Sequence, residues 1–204
     1  MTLKDIGNIP FDLSVLSSVY PKISSIAGKA TELEKNGQII RLKKGLYVVS
    51  PDASGKLLSD GLNANHIYGP SYVSMETALR YYGLIPERIL AVRSMTTKHT
   101  RSFDNAVGRY EYVCCNNQVF PIGIRMVSEA DSSFLIACPE KALYDLLMCQ
   151  NTTDLRFIHE LRAYLEENLR LDMDAFHSMK KEVFQECRDN GKKKQLSDNL
   201  LKLI

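Results

Sequence analysis

The sequence predicts an α+β protein in which an N-terminal winged helix-turn-helix is followed by a mixed α/β domain and a helical C-terminal region. Two observations predict the first part. A helical pattern of apolar residues stops at Asn36-Gly37, and two strand-like runs follow it around a glycine turn. A third observation predicts the rest, because strand-like segments in the middle of the chain give way to a helical pattern from about residue 154.

Residues 2–7 and 12–19 have the pattern of two short helices, separated by Pro10, which cannot continue a helix interior. Asp12 is a suitable N-cap for the second, because its carboxylate can accept hydrogen bonds from the free amides of the first turn. The third helix has an apolar stripe at helical spacing, made of Ile23, Ile26, Ala27, Ala30 and Leu33.

A β-hairpin is predicted after the third helix. Ile39–Leu42 and Leu46–Val49 are strand-like, and the turn Lys43-Lys44-Gly45 joins them. The composition of residues 51–55 is that of a linker. We therefore place a winged-helix domain in residues 1–52, an α+β domain in residues 56–150, and a helical extension of that domain in residues 151–204.

The second domain is predicted to alternate between helices and strands. Its predicted elements are a helix at Val73–Tyr82, strands at Ile89–Val92, Tyr110–Cys114, Ile122–Val127 and Phe134–Ala137, and a helix at Glu140–Met148 that Pro139 precedes.

Composition excludes several classes of protein. Hydrophobic residues make up 45% and charged residues 25% of the chain, an ordinary globular balance. No apolar run approaches the ~20 residues of a membrane span, and the N-terminus does not resemble a signal peptide, so we expect a cytoplasmic protein without a membrane partner. The five cysteines include no Cys-x-x-Cys, so neither a disulfide framework nor a metal site is expected.

The first fifty residues have the features of a DNA-binding surface. They contain seven basic and four acidic residues, whereas the whole chain has a formal net charge of only +2. In a winged helix-turn-helix the last helix enters the major groove, and small residues permit close approach. The predicted DNA-binding residues are Lys22, Ser24, Ser25, Gly28 and Lys29 at the third helix, and Arg41, Lys43 and Lys44 in the hairpin.

Lys29 is predicted to read a base, because it lies four residues from Ser25 on the face opposite the apolar stripe. Glu32, also facing outward, would repel phosphates, so we expect DNA contact at the N-terminal half of the helix. A basic hairpin turn is also often a solvated turn without any partner, and Lys43-Lys44-Gly45 alone would not distinguish the two.

Residues 96–101 form a polar cluster between two predicted strands, and the sequence leaves two interpretations of its role. It is either a phosphate, RNA or partner contact through Thr97, Lys98, His99 and Arg101, or an ordinary polar loop. No catalytic residues are predicted, since Gly28-Lys29 lacks the rest of a phosphate-binding loop. Asp172-Met173-Asp174 lacks the Gly-Ser turn of a nucleotidyltransferase and suits a helix N-terminus.

Several blocks, in order, resemble the AbiEi-type antitoxin regulators of abortive-infection systems (type IV toxin-antitoxin). The resemblance extends to about residue 150 of 204. The blocks are Gly37–Val48, Ser71–Ser74, Ala78–Leu79, Tyr82–Glu87, Thr96–Lys98, Gly108–Tyr112 and Pro139–Leu146.

This resemblance implies a winged helix and an antitoxin domain. It also implies repression of the protein's own operon and counteraction, direct or indirect, of a nucleotidyltransferase toxin, with promoter DNA as a partner. No cofactor or small-molecule ligand is implied. Two alternatives stay open: a nucleic-acid-modifying enzyme using the Thr96–Arg101 cluster, and a plain protein-interaction module.

Overall fold

The computed structural model describes residues 2–129, 131–149, 155 and 157–204. It confirms the predicted mixture of helices and strands, arranged around a three-stranded and a six-stranded sheet. None of the described helices is long and apolar enough to cross a membrane.

The first fifty residues fold as short helices against a small antiparallel sheet. The strand order is β1-β3-β2, and β1, which the sequence did not predict, pairs Phe11 with Tyr47. The elements are α1 (Leu3–Ile6), β1 (Phe11–Asp12), α2 (Leu13–Val19), α3 (Ile26–Lys35), β2 (Ile39–Lys43) and β3 (Leu46–Val49).

The predicted apolar stripe of the third helix is only partly correct. Ala30 and Leu33 are buried against α2 and the sheet, but α3 begins at Ile26, so Ile23 precedes it and is 42% exposed. Ala27 is also exposed. The Ser25 side chain accepts a hydrogen bond from the Gly28 amide, and this N-cap sets the start of the helix later than periodicity suggested.

The predicted linker is wrong as a description of local structure. Residues Pro51–Ser54 form the short helix α4, with Pro51 in its first turn and Gly55 in the left-handed conformation at its end. Proline at a helix start and glycine at its end are the usual pair of helix boundaries. This helix packs against α1, so the segment that follows β3 has a regular structure.

The second region is built on a six-stranded mixed sheet of order β6-β7-β5-β4-β9-β8. The helix α5 and the strands β4 and β6 were not predicted, and the predicted helix at Val73–Tyr82 is split between β4 and α6. The elements are α5 (Asp60–Ile67), β4 (Ser71–Val73), α6 (Met75–Tyr81), β5 (Ala91–Thr96), β6 (Arg101–Asp104), β7 (Arg109–Cys114), β8 (Ile124–Glu129), β9 (Ser132–Ala137) and α7 (Pro139–Cys149).

The C-terminal part is helical, as the sequence predicts, although the predicted boundary between residues 150 and 151 lies outside the described residues. Its buried side chains, including Leu161, Phe176 and Leu200, belong to the same core as those of α7. The elements are α8 (Ile158–Ala163), a π-helical turn at Tyr164–Asn168, α9 (Met173–His177), α10 (Lys181–Asn190) and α11 (Lys194–Leu203).

The hairpin β2–β3 contacts both parts of the molecule, because alternate residues of a strand point to opposite faces. Tyr47 and Val49 belong to the small core of the first fifty residues, whereas Leu42 and Val48 pack into the large core of the second region. The Asn105 side chain donates a hydrogen bond of 3.0 Å to the Leu42 carbonyl. The position of the hairpin is therefore fixed from both sides.

Candidate nucleic-acid interface

The helices α2 and α3 and the turn between them form the first part of the candidate interface. Asp12 is the N-cap of α2, as predicted, and accepts hydrogen bonds from the amides of Ser14 and Val15. The chain then turns through residues 20–25 before α3 begins. The two helices pack against each other, which leaves the N-terminal half of α3 at the surface.

Three of the predicted contact residues lie before the helix rather than on it. Lys22 is in the turn, Ser24 follows it, and Ser25 is the N-cap residue. All three are exposed, as is Gly28 in the first turn of α3. These residues are at the surface, but the prediction that Lys22, Ser24 and Ser25 lie on the helix is wrong, because the apolar Ile23 extended the apparent helical period.

Lys29 is less available than the sequence predicted. Its side chain is 20% exposed, its ammonium lies 2.8 Å from a Glu32 carboxylate oxygen, and it stands 5.2 Å from the centre of the Tyr20 ring. The predicted repulsion between Glu32 and DNA is thus partly offset by this pair. A base contact by Lys29 requires that it leave Glu32, or that the two side chains act together.

Arg41 is also paired within the first region. Its guanidinium lies 2.6 Å from a Glu34 carboxylate oxygen and 5.7 Å from the centre of the Tyr47 ring. Because the arginine side chain remains 45% exposed, water screens this pair, and such surface pairs contribute only about 0.2–1 kcal/mol. The pairing therefore does not prevent Arg41 from turning toward a phosphate.

The two lysines of the hairpin turn differ from each other. Lys44 is exposed, whereas Lys43 is half-buried and donates a hydrogen bond to the Ile67 carbonyl at the end of α5. Burial, together with the charges of Lys98 and Arg101, lowers the pKa of the Lys43 ammonium. The sequence prediction of two equivalent wing lysines is therefore corrected: only Lys44 is a freely exposed cation.

The polar cluster lies between β5 and β6 and is adjacent to Lys43. Lys98 donates to the Gly69 carbonyl and stands 5.3 Å from the centre of the Tyr68 ring, and Arg101 stands 5.0 Å from the Phe103 ring. His99 is exposed and Thr97 is half-buried. The structure thus brings Lys43, Lys98 and Arg101 together from segments that the sequence treated separately.

Lys43, Lys98 and Arg101, which we call the basic junction, have few acids near them. Among the described residues, no carboxylate forms an ion pair with Lys43, Lys98 or Arg101 within 4.0 Å. Like charges that share a site repel each other unless an anion lies between them. A phosphate group would be such an anion.

No protein-family model matches this sequence, and no curated protein matches it.

The other motifs have structural explanations. Asp172 is the N-cap of α9 and accepts from the Ala175 amide at 3.0 Å, as its position at a helix start predicted. Within the described ranges, no group of three His, Cys, Asp or Glu side chains could hold a metal ion, and each of the five cysteines is a free thiol.

A buried charged network was missed by the sequence analysis. The Lys141 ammonium is fully buried and contacts the Asp145 carboxylate and the Tyr72 hydroxyl, the latter at 2.6 Å. Tyr72 and Ser74 donate to the same carboxylate at 3.0 and 2.8 Å. Burial and the Asp145 charge raise the pKa of Tyr72, so its hydroxyl stays protonated and keeps donating.

The spacing of Lys141 and Asp145 was visible in the sequence, since residues four apart share one face of a helix. Their burial was not, because α7 is enclosed by the sheet and by α6 and α10 only in the folded chain. The network joins β4 to α7 in the interior of the second region.

Proposed function

We propose that this chain binds DNA through its first fifty residues, arranged as a winged helix-turn-helix, and acts as an antitoxin that represses its own operon. One observation carries the DNA-binding part. In chain order, the exposed N-terminal half of α3 is preceded by the basic turn at Lys22 and followed by a hairpin whose turn carries the exposed Lys44. An α-helix flanked in this way suits the major groove, with phosphates on either side.

The surface of α3 supports close approach to bases. Ala27, Gly28 and Thr31 are exposed on the same part of the helix. None of the three has a long side chain, and the Thr31 hydroxyl donates a hydrogen bond to the Ala27 carbonyl. A major groove about 12 Å wide admits a helix whose outer face is this small.

The basic junction supports a longer phosphate contact than a hairpin alone could make. Lys98 and Arg101, both exposed, are close enough to Lys43 to lower the pKa of its ammonium. A DNA strand that follows the hairpin would meet these cations, which belong to the second region. The exposed Lys44 and Arg101 would then contact successive phosphates, and each contact would release counterions.

The antitoxin part of the proposal depends on the resemblance of the blocks between Gly37 and Leu146 to AbiEi-type regulators. Under this proposal the second region counteracts a nucleotidyltransferase toxin, directly or indirectly. Removal of residues 1–50 is a poor test, because it would also remove Leu42 and Val48 from the large core. Charge-reversal variants on an intact chain separate the two activities better.

The test uses fluorescence anisotropy to measure binding of the intact protein to duplex DNA from upstream of its own gene, over a range of salt concentrations. We expect tighter binding than to a scrambled duplex of equal length, and log K that falls linearly with log salt. Lys44→Ala should reduce the slope by about one unit. Lys202→Ala, an equal charge change on the exposed face of α11, should leave it unchanged.

Equal affinity for the two duplexes would contradict the repressor proposal. A wild-type slope of log K against log salt in Lys44→Ala would show that the hairpin turn does not contact a phosphate. The antitoxin activity is tested separately, by co-expression with the product of the neighbouring gene. Lys22→Glu/Lys44→Glu should lose DNA binding and still protect growth when expressed from a foreign promoter. Loss of protection by this folded variant would show that neutralisation requires DNA binding.

A further inference from the structure

A cavity of about 620 Å³ lies where β5 and β7 end. These two strands are parallel neighbours, so their carboxyl ends meet at the same edge of the sheet, a common position for ligand sites in α/β sheets. The C-terminal part of α7 forms one wall, and the turn between α10 and α11 covers the other side. The volume is in the range of about 300–1,000 Å³ that small-molecule sites occupy.

The wall of this cavity is rich in sulfur. Its thiols and thioethers belong to Met95, Cys114, Cys115, Met148 and Cys149. Burial raises the pKa of the Cys115 thiol to about 12, so this group is protonated at neutral pH and forms an apolar surface. Thioethers and thiols are polarisable and make favourable contacts with aromatic rings, which favours a flat aromatic body over a sugar or a peptide.

The mouth of the cavity is positive. Lys192 and Lys193 line it on the α10–α11 turn, next to the N-terminal and therefore positive end of the α11 dipole. The acid that lines the cavity, Asp145, is already neutralised by Lys141 and accepts from two hydroxyls. An anionic group on a ligand would therefore be attracted to the mouth.

The turn over the cavity is held in place by contacts from both sides. The Lys193 ammonium donates to the Met148 carbonyl at 2.8 Å, and the Asn116 amide donates to the Asn190 carbonyl at 3.3 Å. Lys193 has a φ of 54°, in the left-handed region that is costly for a residue with a side chain. Gly191 packs so closely that a Cβ atom there would lie 2.0 Å from the Tyr144 hydroxyl oxygen.

We propose that this sulfur-lined cavity binds a small organic anion with an aromatic body, whose acidic group pairs with Lys192. The aromatic body lies against the methionine and cysteine side chains, and the acidic group remains at the mouth. None of the basic residues to which the DNA contact is assigned lines this cavity.

The test uses the full-length protein and the probe 8-anilinonaphthalene-1-sulfonate, an aromatic anion whose fluorescence rises in apolar surroundings. We expect saturable binding of one probe per chain. Lys192→Glu should weaken it by about tenfold or more, because it replaces a charge-assisted contact with repulsion. Lys194→Glu makes the same charge change two residues away, on a side chain that does not line the cavity, and should have little effect.

A second pair of measurements locates the probe. Val113 lines the cavity from β7, and Val113→Phe should fill part of it and abolish saturable binding. Cys114, an exposed thiol in the wall, should react more slowly with iodoacetamide when the probe is present, and this protection needs no core variant. Equal losses in Lys192→Glu and Lys194→Glu, or unchanged labelling of Cys114 at saturating probe, would overturn the proposal.

Discussion

The first fifty residues and the second region keep their structure by different means. The first region has a small core around Leu16, Leu33 and Val49, a capped helix, and exposed ion pairs that contribute little to stability. The second region surrounds a buried ion pair with a large core and places three of its glycines, Gly61, Gly123 and Gly191, against other side chains. We therefore expect substitutions on the surface assigned to DNA to change stability little, and substitutions in the interior of the second region to change it strongly.

The largest expected effect is at the buried ion pair. Lys141→Met should lower the free energy of unfolding by about 3–5 kcal/mol, because it leaves the Asp145 carboxylate buried without its cation. Urea denaturation measures the change. The double variant Lys141→Met/Asp145→Leu should recover much of the loss, since it removes both charges. Equal losses in the single and double variants would mean that packing, not charge, fixes this site.

A smaller effect is expected at the α10–α11 turn. Gly191→Ala should cost about 1–3 kcal/mol, because its Cβ would lie 2.0 Å from the Tyr144 hydroxyl oxygen and 2.5 Å from the Cys187 carbonyl oxygen. Gly108→Ala is the matched control, as nothing lies within 4 Å of a Cβ there. Thermal unfolding of the two variants compares them. An unchanged melting temperature in Gly191→Ala would show that this part of the second region tolerates substitution as well as the surface of the first region does.

In the first region, Lys29→Ala should separate binding from stability. Its pair with Glu32 is a surface i,i+3 contact, so its loss should change stability by only about 0.2–0.5 kcal/mol. Binding to the promoter duplex should weaken by about 1–3 kcal/mol, with relaxed preference at one base pair. Anisotropy with a series of single-base duplex variants tests this, and an unchanged ranking of the variants would make Lys29 a phosphate contact.

The smallest effect is expected at the N-cap of α2. Asp12→Ala should cost about 1 kcal/mol at neutral pH, because the amides of Ser14 and Val15 lose their acceptor. The hydrogen bond with Ser14 and the amide of Val15 lower the pKa of Asp12 below 3.8. The contribution is therefore present above pH 3.8 and is lost as the pH falls through the lower folded-state value. Asp12→Asn should keep most of the stability and show no such dependence in urea titrations at several pH values.

The sequence by itself determined the features that depend on neighbouring residues. The cap at Asp12, the hairpin turn at Gly45, the helix that begins at Pro139 and the capping position of Asp172 follow from local hydrogen bonding and allowed dihedral angles. Among the segments that it missed, α5, β4 and β6 have weak local patterns. The strand β4 is only three residues long and buried throughout, so it lacks the alternation that identifies a strand with one exposed face.

Only the tertiary structure decided which polar groups are available and which are enclosed. Lys43 and Lys44 are adjacent in sequence, yet one contacts the end of α5 and the other faces solvent. Lys141 is enclosed although lysine is almost never fully buried without a partner. The cavity at the ends of β5 and β7 combines residues from 95 to 193. Such groupings depend on contacts between distant segments, and local periodicity carries no information about them.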